Sequence, residues 1–71
     1  MTAEDVKQLV IDSGKNIVNV QVTTKTGLKQ KQSLRINAHE QLCIGGYKSK
    51  FPNYIIGDVV TDKWESIKII K

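Results

Sequence analysis

Four polar residues of "LKQKQSLRIN", Lys29, Lys31, Ser33 and Arg35, stand at alternate positions, and three of them are cationic. In an extended strand successive side chains point to opposite faces, so these four share one face and Leu34 and Ile36, with Leu28, take the other. The cations then form a line at a pitch of about 6–7 Å between alternate residues, a row able to follow the phosphates of a nucleic acid. The preceding "IVNVQVTT" alternates as well, with Val18, Val20 and Val22 against Asn19, Gln21 and Thr23. If the two segments form a hairpin, the three polar residues join the cations and offer hydrogen bonds to sugar or base. No acid lies between Lys25 and Arg35, whereas a face built only for solubility mixes signs. The competing reading is the solvated side of an antiparallel sheet, with lysines that discourage edge-to-edge aggregation.

A second cluster follows in "GGYKSKFPNY", where Tyr47, Phe51 and Tyr54 surround Lys48 and Lys50. Single-strand binders combine aromatic platforms with cations in this way, so Tyr47 and Phe51 are expected to stack bases and Lys48 and Lys50 to meet phosphates. Pro52 stiffens the loop. Against this, Tyr47 and Tyr54 border strands and could pack with only their hydroxyls in water. Trp64, in "TDKWESI", is either a lid over the core or an exposed anchor for a protein partner.

Other chemistry finds little support. His39 and Cys43 are four residues apart with Glu40 between them, and the chain holds no further Cys or His for a four-ligand zinc site. Cys43 sits in the apolar "LCIG" and reads as a small buried residue or an inert one on the outer face. Asp58, Asp62 and Glu65 surround a turn, and no phosphate-cradling glycine loop is present. The expectation is a non-enzymatic protein without metal or cofactor.

The elements that must position these residues follow from the hydrophobic pattern. "TAEDVKQLV" reads as the start of a helix over 1–14, capped by Thr2 and stopped by Gly14, with Ala3, Val6, Leu9 and Val10 on one face. Residues 17–71 read as five short strands, with a turn at Lys25–Gly27, a bulge or bend at Gly45-Gly46, and strands in "NYIIGDVV" and "SIKIIK". The expected fold is α+β and mainly β: one domain over 1–71, an N-terminal helix and a five-stranded antiparallel sheet. That sheet is either strongly bent or closed, in a layout that resembles small SH3-like and Sm-like barrels.

Charge completes the picture. The net charge is +4, distributed as −2 over residues 1–14, +6 over 15–50 and zero over 51–71. A basic middle segment favours polyanions. The acidic start lacks the basic region of a secretory signal, no apolar run suits a membrane span, and the single cysteine fits a reducing compartment, so the expected location is cytoplasmic. The sequence therefore points to a small basic module that binds nucleic acid. Its rival is a protein-interaction or regulatory module acting through its surface or a sheet edge. The split between acidic helix and basic strands is also compatible with self-association.

Overall fold

The computed structural model describes residues 1–70. Its elements run α1 (Ala3–Asp12), β1 (Val18–Thr24), β2 (Lys29–Ile36), β3 (Leu42–Gly46), β4 (Tyr54–Ile55), α2 (Asp58–Thr61) and β5 (Trp64–Ile69). The five strands form one antiparallel sheet in the order β4-β3-β2-β1-β5. The fold is thus α+β, mainly β, with an N-terminal helix. The sheet is open: β4 and β5 end the order on opposite sides, and the barrel closure expected from the layout does not occur among the described residues. Two residues of β4 are too few to reach across.

α1 begins as its sequence dictates. The Thr2 hydroxyl accepts the amide of Asp5 at 3.1 Å, and Glu4 and Asp5 occupy the first turn, where the helix dipole favours negative charge. A further cap comes from elsewhere in the chain: Asp58 Oδ1 accepts the Ala3 amide at 2.7 Å, tying α2 to the start of α1. Gly14 ends the helix with φ +70, the left-handed conformation that glycine takes most easily. Val6 and Val10 are buried against the sheet, with Ala3 and Leu9 packed alongside.

The strands divide two faces. Val18, Val20 and Val22 of β1 lie with Leu34 of β2, Leu42 of β3, Ile56 and Trp64 in the core beneath α1. Leu28 leaves this pattern. It sits in the β1–β2 hairpin beyond the reach of the helix and is exposed. The hairpin itself closes through Thr24 N to Leu28 O at 2.8 Å and Gly27 N to Thr24 O at 2.9 Å, with Gly27 at φ +90.

Two expected features differ. Gly45 and Gly46 pair regularly with Ser33 and Gln32, so no bulge forms there. The irregularity lies instead in the β1–β5 pairing, between Thr23 and Thr24. It has a clear consequence, because Ile67 and Ile69 face inward and strict alternation would bring in Glu65 as well. The register shift sets Trp64 opposite Thr24, so the indole enters the core and Glu65 stays in water. The second difference is "NYIIGDVV", whose β-branched residues suggest a strand. After Ile55 the chain leaves the sheet at Gly57 and turns through α2, with Asp58 in the first helical turn.

Candidate nucleic-acid interface

The register places Asn19, Gln21 and Thr23 of β1 and Lys29, Lys31 and Ser33 of β2 on the face opposite the core, while Gln30 and Gln32 share the parity of Leu34. Gln21 pairs with Lys31 on one side and Lys68 on the other, while Thr23 pairs with Lys29 and Ser66. Two rows therefore cross the open half of this outer face: Lys31–Gln21–Lys68 and Lys29–Thr23–Ser66. A shallow cleft of about 410 Å³ lies here, lined by Gln21, Lys31, Lys68, Ile69 and Ile70. Lys29, Lys31 and Lys68 are all exposed.

Tyr47 extends the first row. It follows Gly46, which pairs with Gln32, so the ring arrives beside Lys31. Lys31 Nζ stands 5.4 Å from the ring centroid and Lys48 Nζ stands 5.3 Å from it. Each ammonium is attracted by the ring's electron-rich face, which offsets part of the repulsion between the two cations. The turn that presents Lys48 is closed by Ser49 N to Gly46 O at 2.9 Å, and Lys48 adopts φ +62.

The other half of the outer face is covered by the loop from Tyr47 to Asn53. Ser49 N donates to Ser33 Oγ at 3.2 Å, Ser33 Oγ donates to Asn19 Oδ1 at 2.6 Å, and Arg35 Nε donates to Pro52 O at 2.6 Å. Gly45 allows this close approach, for a Cβ there would stand 3.0 Å from the Pro52 Cα and 3.0 Å from the Ser49 hydroxyl. Cys43 shares the outer-face parity of Arg35, its partner across β2–β3, yet is buried. His39 is exposed on the β2–β3 turn, and among the described residues no three His, Cys, Asp or Glu side chains gather to hold a metal.

Arg35 is thus half-buried and committed to the loop it anchors, and does not stand free in line with Lys29 and Lys31. Lys50 and Phe51 lie with it at a separate groove of about 460 Å³, to which Lys15 also contributes. The seven sequence-selected residues therefore form two groups. Lys29, Lys31, Tyr47 and Lys48 belong to the open outer face, and Arg35, Lys50 and Phe51 to the groove.

Trp64 is only 4% exposed and belongs to the core, so it is the lid of the two readings and not an exposed anchor. Sequence reasoning missed Lys68 and Lys15. Alternation in "SIKIIK" sends Lys68 to the side opposite Ile67 and Ile69, but only the placement of β5 beside β1 brings it to the site. For Lys15 the signal is the left-handed Gly14, which turns the chain back beside the end of β2.

No protein-family model, no curated protein and no solved structure matches the chain. No helix among the described residues is long and apolar enough to cross a membrane.

Proposed function

We propose that this protein is a non-catalytic module that binds nucleic acid across the outer face of its sheet. The observation that carries the reading is the row Tyr47–Lys31–Gln21–Lys68, a tyrosine that holds two ammonium groups followed by a polar amide and a third cation. Lys29, one step along β2, widens the row, and the sequence between Asp12 and Glu40 contains no acid to neutralise it. Phosphates would bridge Lys29, Lys31, Lys48 and Lys68, with Gln21, Thr23 and Ser66 donating to sugar or base. The buried thiol of Cys43 suits a reducing compartment such as the cytoplasm.

The test is fluorescence anisotropy with a labelled mixed-sequence oligonucleotide over a range of salt. Engagement of three to five phosphates gives a log–log slope of roughly −2 to −4. Combined Lys29→Ala, Lys31→Ala and Lys68→Ala should weaken binding about tenfold or more and flatten the slope by about 2. Lys7→Ala, on α1 behind the sheet, should leave affinity unchanged. A salt-independent affinity, or full binding by the triple variant, defeats the proposal.

One observation favours a second reading, that of a protein-contact module. β4 is an edge strand, and Tyr54, Ile55 and the nearby Val59 are exposed apolar side chains. This reading predicts oligomers or partner complexes by light scattering that Ile55→Lys abolishes, with no retention of oligonucleotide at physiological salt.

A further inference from the structure

We propose that the groove beside Phe51 seats one unstacked nucleotide, with its base on the Phe51 ring and its phosphate among Lys15, Arg35 and Lys50. This selects single strands over duplexes, and it rests on the nucleic-acid reading above. The groove is about 460 Å³ and its lining is of two kinds. One is apolar, with Ile11 and Phe51. The other carries Lys15, Arg35 and Lys50 with the Asn16 amide, and no carboxylate lines the groove.

Phe51 is 78% exposed, so most of its ring is open to a stacking partner. Tyr47 differs, because two ammonium groups already occupy positions beside its ring. The loop that carries Phe51 is held at both ends, by Ser49 N on Ser33 Oγ and by Arg35 Nε on Pro52 O. Little ordering therefore remains to be done on binding. Among the described residues that Nε bond is the only one the Arg35 side chain makes, which leaves its terminal amino groups for an anion.

The end of α1 borders the groove, and its carbonyls would repel a phosphate if left open. Three of them are occupied: Leu9 O accepts from Ser13 N, Ile11 O from Gly14 N, and Val10 O from Ser13 Oγ. A nucleotide supplies in one unit both a flat ring for the apolar side chains and a phosphate for the cations. A paired and stacked base has no free face to give Phe51 unless it is first extruded, and this is the source of the preference.

The experiment compares single- and double-stranded oligonucleotides of one sequence on the intact chain, with Phe51→Ala and Phe51→Trp beside it. Phe51 is exposed, so both variants should fold. The single strand should bind about tenfold more tightly; Phe51→Ala should remove that advantage and Phe51→Trp keep it. A nucleoside monophosphate should shift the amide resonances of Gly14, Lys15, Asn16 and Lys50. If single and double strands bind equally and Phe51→Ala has no effect, while the lysine triple variant still loses binding, the groove assignment falls and the outer-face reading stands. If no oligonucleotide binds, both fall. Resonance shifts at these amides with an acidic peptide, and none with the monophosphate, would also overturn the assignment.

Discussion

Lys48 combines a costly backbone with a useful charge. Its φ of +62 lies in the left-handed region, which disfavours any residue with a Cβ, yet its ammonium is one of the two at the Tyr47 ring. Lys48→Gly should relieve the strain and stabilise the fold by about 0–1 kcal/mol, the upper part offset by the freedom glycine gains when unfolded. The same substitution should weaken oligonucleotide binding several-fold. Denaturant titration followed by Trp64 fluorescence, run beside anisotropy, reads both effects, and a simultaneous loss of stability and affinity would contradict this account. Gly45 makes the opposite case. The added methyl of Gly45→Ala would press on the Pro52 backbone as well as on the movable Ser49 hydroxyl, and backbone yields least. The expected cost is about 1–3 kcal/mol, seen as a lower denaturation midpoint.

At the scale of elements, the helix and the sheet are joined by small polar contacts as well as by the core. Asp58 is the clearest, since its carboxylate caps α1 from α2. Asp58→Ala should cost about 1 kcal/mol, and Asp58→Asn, which keeps an acceptor, should cost less. Nothing near Asp58 in the sequence announces this role; it reads there as a turn residue because its partner amide is 55 positions away. The legible features are those set by local periodicity. The Val18–Val20–Val22 alternation and the opposite parity of Lys29 and Lys31 need no knowledge of neighbouring strands, and Thr2 and Gly14 mark their helix ends by chemistry alone. What the sequence conceals depends on contacts between distant segments. Arg35 has the same parity as Lys31, but the loop from Tyr47 to Asn53 folds over it; Trp64 reaches the core only through a register shift; and "DVVT" is helical despite its branched residues.

For the whole molecule, the sheet separates two electrostatic sides. α1, with Glu4, Asp5 and Asp12 against the single Lys7, covers the core side, and Lys29, Lys31, Lys48 and Lys68 belong to the outer side. If the proposed binding holds, this separation would steer a polyanion to one side, with an approach that slows as salt rises. Because Lys31, Lys48 and Lys68 come from distant parts of the chain, the surface exists only in the folded state. Ligand should therefore stabilise the fold: at about 100 times Kd the gain is about 2.7 kcal/mol, or a Tm increase of about 10–20 °C for a domain of this size. A thermal melt with and without oligonucleotide at low salt checks this, and an unchanged Tm at saturation would count against it. The strand order carries one more implication. β1 to β4 can zip up in order of synthesis, whereas β5 must cross from the far edge through α2 before it docks on β1. Lys68 travels with it, so on the proposed reading the cationic row of the outer face is complete only once β5 has docked beside β1.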